Sequence, residues 1–178
     1  MTATVHTVSV SSPIGPLHLA EHRERLCMLA FDPHADQTWD QIARWLGPTR
    51  EDRPTPFLTD VSERLGAYFD GDLTAIDAVP VEPPGTEFQR AVWRALRDIP
   101  AGATTSYGEL ARALQNPRAC RAVGAANGRN PVAIVIPCHR VIGSDHTLIG
   151  YGGGLDRKRW LLRHEGLAIQ EELPLDPD

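Results

Sequence analysis

Lysine is almost missing from this chain: of its 18 basic residues, Lys158 alone is not an arginine. That bias reflects genome composition as readily as function. Cysteine is scarce as well. Cys27, Cys120 and Cys138 form no Cys-x-x-Cys pair and leave one odd thiol, which argues against a disulfide scaffold. No apolar run is long enough for a membrane helix, and no charged, then apolar, then small-residue leader opens the chain. The expectation is a soluble cytoplasmic protein without a membrane partner. Repeats and low-complexity tracts are lacking too. His18, His22, Cys27 and His34 match no zinc spacing, so neither a metal nor a cofactor is expected.

The 178 residues suffice for one domain or two small ones. A formal charge of −5 excludes nucleic-acid binding only if it is spread evenly, and it is not. Residues 1–85 carry 6 basic and 13 acidic side chains, residues 86–166 carry 12 basic and 6 acidic, and the tail from 167 carries four acidic ones. The C-terminal half is therefore the one suited to a polyanion.

Val8 and Val10, then Leu17 and Leu19, then Leu26 to Phe31 predict short strands separated by turns. Trp39, Ile42, Ala43 and Leu46 predict a helix ended at Gly47-Pro48. Phe57, Leu58, Val61, Leu65, Tyr68 and Phe69 predict another, ended near Gly71. Leu73 to Val81 suits a further strand, and Pro80 to Gly85 reads as a linker. Thr86-x-x-Gln89 caps a helix that turns Phe88, Val92, Ala95, Leu96 and Ile99 inward. The boundaries are 1–85 for an N-terminal α/β domain with its linker, 86–168 for the C-terminal domain, and 169–178 for an acidic tail.

Chemistry concentrates at Pro137-Cys138-His139-Arg140-Val141. The apolar run Val132 to Ile136 reads as a core strand, and Pro137 cannot continue a hydrogen-bond ladder, so the chain turns and leaves Cys138 at the mouth of a packed core. A thiol beside an imidazole is a nucleophile arrangement, although most lone cysteines are small buried hydrophobes. Downstream, Leu155 to Gly166 has helical spacing with a glycine cap, and Leu155, Leu161 and Leu162 mark its apolar face. Glu165, three and four residues on from two of those leucines, points inward with them. A carboxylate there needs a partner, and His139 is the natural one: bound on one ring nitrogen, it aims the other at a thiol or a bridging water.

Ser106-Tyr107-Gly108-Glu109 has the form of a capping box, and Asn116-Pro117 opens a second helix with Asn116 as its cap. Together they make a helix-turn-helix. The second helix buries Cys120 and Val123 and shows Arg118, Arg121, Ala122 and Ala125 on its other face, small residues flanked by arginines that suit a nucleic-acid groove or helix packing.

From Arg121-Ala122-Val123-Gly124 through Asn130-Pro131 to Pro137-Cys138-His139-Arg140-Val141, the chain resembles the methylated-DNA–protein-cysteine methyltransferases, the O(6)-alkylguanine-DNA alkyltransferases. Tyr151-Gly152-Gly153-Gly154, Leu161-Leu162-x-x-Glu165-Gly166, Pro100-x-Gly102 and Ser106-Tyr107-Gly108 fit the same pattern in order and spacing, over about residues 86 to 166. Ser12 to Leu17 resembles the family's less distinctive N-terminal domain.

The resemblance implies an α/β protein: a small N-terminal α/β domain with an antiparallel sheet, and a mainly helical C-terminal domain containing the helix-turn-helix. It implies a monomer whose partner is double-stranded DNA containing alkylated guanine. O(6)-alkylguanine, and O(4)-alkylthymine with it, is flipped from the duplex. Cys138 takes the alkyl group irreversibly in a single turnover. By the same resemblance, Glu165 orients His139, which lowers the thiol pKa; Tyr107 crowds the flipping phosphate and protonates the guanine ring; and Asn130 orders the turn carrying Cys138. Arg121 fills the vacated stack from the minor groove, and Ala122, Arg118 and Arg129 complete the DNA-facing set with Tyr107. Val141, Tyr151, Gly152 and Gly153 close around the base.

Two positions depart from the family pattern. Cys120 stands where alanine is usual and adds a second alkylation or oxidation site. Ala133 replaces the proline of several members and widens the pocket. The alternatives are a non-catalytic alkyltransferase-like lesion-binding module, which lacks the cysteine at position 138, and a cysteine hydrolase, which has no need of the arginine-bearing helix.

Overall fold

The computed structural model describes residues 4–169. Three strands, β1 (Val5–Val10), β2 (Leu17–Glu21) and β3 (Leu26–Phe31), form an antiparallel meander, and β4 (Arg50–Asp52) joins β1 in parallel. The sheet order is β3-β2-β1-β4, so the expected antiparallel sheet is a mixed one with a short parallel edge. Its two faces divide the apolar residues by the alternation of side chains along a strand. Leu17, Leu19, Leu29 and Phe31 enter the main core, whereas Ala20, Met28 and Ala30 meet helix α1 (Ala35–Leu46) through Trp39 and Ile42.

Helix α2 (Pro56–Phe69) starts where the Thr55 side chain accepts from the Leu58 amide, and it buries Leu58, Val61, Leu65 and Tyr68. The segment Leu73 to Val81 is not a strand. It is a run of turns, anchored by Asp72 capping Thr74, and Val81 alone pairs, with Leu26. The Pro80 carbonyl and the Glu82 amide thus bond β3 at one point, and the Pro131 carbonyl and Ala133 amide bond it at Leu29. These short passages cover the free edge of β3, which would otherwise present unpaired backbone groups. Through them one hydrophobic core runs from the sheet into the C-terminal half.

Helix α3 (Glu87–Arg97) has the predicted Thr86/Gln89 capping box. Phe88 is exposed rather than inward, because Trp93 fills the interior and donates its indole N–H to the Ala126 carbonyl at 2.9 Å. Strand β5 (Thr105–Ser106) pairs in parallel with β6 (Val141–Ile142), and helix α4 (Tyr107–Ala113) begins with the Ser106/Glu109 capping box. A 3₁₀ turn, Pro117–Ala119, leads into α5 (Cys120–Gly128), completing the helix-turn-helix. Asn116 makes no side-chain cap there. Cys120 is exposed, since Ala119, four residues before Val123, takes the inward position.

Helix α6 (Leu155–His164) buries Leu161 and Leu162 but exposes Leu155; Lys158 is the residue buried on that face. The tail from residue 170 lies outside the described residues, and among the described residues no helix is long and apolar enough to cross a membrane.

Candidate active site

The apolar run Val132 to Ile136 is buried but is not the expected strand. Only Val132 pairs, with Leu29, and the chain then coils tightly, with Ile134 at φ +68° and the Ile136 amide bonded to the Val132 carbonyl. Burial alone cannot distinguish a strand from a coil when another group supplies the hydrogen bonds. Asn130 is that group: its amide donates to the Ile136 carbonyl at 2.8 Å, and its Oδ1 accepts from the Val132 amide at 3.0 Å. The knot delivers Pro137 and then a 3₁₀ turn, Cys138–Arg140, that buries Cys138, His139 and Arg140 together.

Glu165 faces that turn from the end of α6. Its Oε1 accepts from His139 Nε2, from Arg140 Nη2 and from the Tyr68 hydroxyl, each at 2.8 Å, and its Oε2 accepts from Arg140 Nε at 2.9 Å. Both side chains of the His139–Glu165 pair are fully buried. Burial alone would raise the Glu165 carboxyl, but the hydrogen bonds and charges of His139 and Arg140 outweigh it and hold it at about 2. Burial pushes His139 in the other direction, below its ordinary value, against the pull of Glu165. With Nε2–H given to an ionised carboxylate, Nδ1 carries the lone pair, and it has no protein partner among the described residues. The site holds a neutral imidazole with a free basic nitrogen.

Cys138 does not rest as a low-pKa thiol. Burial raises it, and the groups that pull it back are the Asn130 amide and the charge of Lys158 rather than the His139 ring. The expected lowering of the thiol by the His139 ring is therefore absent from this arrangement. Lys158 was not legible as a site residue. Its Nζ donates to the Val141 carbonyl at 2.6 Å and the Ile149 carbonyl at 2.7 Å, and burial lowers it to about 8. The signal was its place three residues before Leu161, on the apolar face.

Cys138 opens on a cavity of about 560 Å³ whose walls include Tyr107, Asn130, Tyr151, Gly152 and Gly153. Burial and the nearby Cys138 raise Tyr107, leaving a protonated phenol whose hydroxyl reaches toward the Gly150 carbonyl at 3.5 Å. The Tyr151 hydroxyl and Asn127 Oδ1 are buried there without protein partners among the described residues. Ala133 forms part of the wall, and Arg129 lies on the rim. Val141 does not reach this cavity; it is fully buried, with its carbonyl taken by Lys158. Arg118, Arg121 and Ala122 stand exposed on the outer side of the α5 region.

The N-terminal half enters the site in two ways that the sequence concealed. Tyr68 holds Glu165, and α1 supplies Gln37, Thr38 and Gln41 to the cavity wall, with Gln41 donating to the Arg129 carbonyl at 2.8 Å. Among the described residues no group of three histidines, cysteines or carboxylates is placed to hold a metal.

Residues 87–167 match the family model for the 6-O-methylguanine DNA methyltransferase, DNA binding domain, and residues 5–83 that for the 6-O-methylguanine DNA methyltransferase, ribonuclease-like domain. A methylated-DNA–protein-cysteine methyltransferase of Shigella flexneri is 45% identical over 164 residues, covering 90% of this chain and 95% of its own. One from Mycolicibacterium paratuberculosis is 51% identical over 88% of this chain and 90% of its own. The crystal structure of Mycobacterium tuberculosis OGT in complex with DNA superposes with a TM-score of 0.76 at 44% identity, covering 90% of this chain and 92% of that one.

Proposed function

The chain belongs to the methylated-DNA–protein-cysteine methyltransferase family, and from that premise we propose that Cys138 accepts the alkyl group of an O(6)-alkylguanine extruded from duplex DNA. The protein is a DNA-repair alkyltransferase that binds DNA. The geometry supports the finer roles assigned below. The observation that carries them is the buried Glu165–His139 pair beside Cys138, with Nδ1 free, at the foot of a cavity walled by Tyr107 and Tyr151.

A lesion inside the base stack is out of reach of a cysteine at the foot of a cavity, so the nucleotide rotates out of the duplex. Arg121, with Arg118, Ala122 and Arg129, faces the DNA, and Arg121 fills the space the base leaves. O(4)-alkylthymine offers the same alkyl–oxygen bond and is the second substrate. The sulfur of Cys138 attacks the alkyl carbon, a C–S bond forms, and the bond from carbon to O6 breaks. The thiol proton passes to His139 Nδ1 through a water, and Glu165 stabilises the imidazolium. Electrons of the broken bond leave with guanine, and the Tyr107 phenol supplies its proton. Asn130 fixes the turn carrying the sulfur.

The product is a thioether, which has no good leaving group, so each chain acts once. Residues 86–168 form the unit that binds DNA and transfers the alkyl group, and the protein works as a monomer on the DNA of the cytoplasmic nucleoid. Replacing the thiol tests the assignment. Cys138→Ala should abolish transfer from O(6)-methylguanine duplex while keeping duplex affinity in a gel-shift titration. Transfer by that variant would refute the role of Cys138.

A further inference from the structure

The loop Tyr151 to Gly154, whose first three residues line the same cavity as Cys138, is fastened to the N-terminal half by Arg157 of α6. Arg157 Nε donates to the Ile14 carbonyl at 2.9 Å, in the turn between β1 and β2, and its Nη1 donates to the Gly153 carbonyl at 3.1 Å. The guanidinium lies 4.9 Å from the ring centroid of Phe31, at the end of β3. That ring packs edge-on against Tyr151, with centroids 6.1 Å apart. It also fits so closely over Gly153 that a Cβ there would sit 2.7 Å from the ring. At Gly15, with φ +102°, a Cβ would come within 3.3 Å of Arg157 Nη2. Arg157 forms no ion pair with a carboxylate among the described residues.

An arginine that spends its donors on two carbonyls and its face on a ring is a bracket, because the rigid planar fork fixes both carbonyls at once. We propose that Arg157 is a positioning residue for the substrate cavity. Working through Phe31, it sets the distance between the Tyr151-to-Gly154 loop and the Cys138 sulfur, so the N-terminal half fixes the back wall against which the alkylated base is held. The proposal rests on the transfer function above. It concerns binding of the base and not activation of the thiol, since Arg157 touches neither His139 nor Cys138.

Single-turnover transfer from the free base O(6)-benzylguanine separates the two. In Arg157→Ala the half-saturating concentration should rise about tenfold or more, because a shifted wall misplaces the bound base. The rate at which iodoacetamide alkylates Cys138 should stay at the wild-type value. Arg157→Lys, which cannot hold both carbonyls in one plane, should fall between. Hydrogen exchange at the amides of residues 152–154 should quicken in Arg157→Ala, and Phe31→Leu should reproduce both changes if the alanine variant folds poorly. Half-saturation and exchange both unchanged in Arg157→Ala would overturn the proposal, as would equal losses of base and iodoacetamide reactivity, which would make Arg157 a general stabiliser. If the wild-type protein takes nothing from the free base, O(6)-methylguanine duplex replaces it as substrate; no transfer from that duplex defeats the transfer function instead, and hydrogen exchange still judges the bracket.

Discussion

Tyr68 donates its hydroxyl to Glu165 Oε1 at 2.8 Å across 97 positions of sequence. The same oxygen receives His139 and Arg140, so the carboxylate that orients the imidazole is held from both halves of the molecule. Removing one donor should be felt in the fold and in the chemistry alike. Tyr68→Phe keeps the ring and its packing but leaves the charge with one fewer hydrogen bond, a loss of about 1.5–3 kcal/mol for a bond to a charged group. Urea unfolding should show a lower midpoint at unchanged slope, and single-turnover transfer should slow. An unaltered midpoint would mean that the contact contributes nothing net.

Glu165→Gln preserves shape and removes the charge that, in the proposed mechanism, stabilises the imidazolium formed when His139 takes the thiol proton. Transfer should slow by about 10²–10⁴-fold if His139 is a positioned base. Quench-flow rates on methylated duplex measure it. A variant within twofold of wild type would leave Glu165 with a structural role alone.

Stability should depend on pH through the same carboxylate. The folded carboxyl sits at about 2 against an ordinary 4.5, so its stabilisation is present in full above about pH 4.5 and is lost as pH falls toward 2. Lys158 works in the opposite part of the range. Folded at about 8 against an ordinary 10.5, it binds fewer protons in the native state, so stability should rise with pH between those values. Denaturant midpoints across pH, compared with those of Glu165→Gln and Lys158→Met, should lose the acid and the alkaline slope respectively. Slopes that persist in the variants would assign them to other groups.

The elements that carry the chemistry were legible because chemistry constrains residue type and spacing. Cys138 beside His139, and Glu165 three residues after Leu162, are legible in residue type and spacing, and both capping boxes fall where their side chains place them. Tertiary partners left no such trace. Tyr68 reads as one more apolar position of α2, and Arg140 as a basic neighbour of His139. The run Val132 to Ile136 is not a strand because its backbone groups bond one another, Leu29 and the Asn130 side chain, a possibility that hydropathy does not encode. Phe88 and Leu155 misled for a related reason: Trp93 and Lys158 claimed the interior that their spacing seemed to offer.

Arg121 stands exposed on α5 and is not among the residues lining the Cys138 cavity, so its contribution should belong to base extrusion and not to transfer. Arg121→Ala should slow repair of duplex DNA about tenfold or more, since extruding a base costs a few kcal/mol. Reaction with free O(6)-benzylguanine, already unstacked, should be nearly unchanged. Equal losses on both substrates would place Arg121 in the support of the active-site fold.

Irreversible transfer to one sulfur is read most directly by intact-mass spectrometry after incubation with excess O(6)-methylguanine duplex, followed by peptide mapping. Every chain should gain a single methyl group, on Cys138, and the amount of repaired guanine should stop at one per chain. Repair that continues past one per chain, or methyl found mainly on the exposed Cys120, would contradict the account.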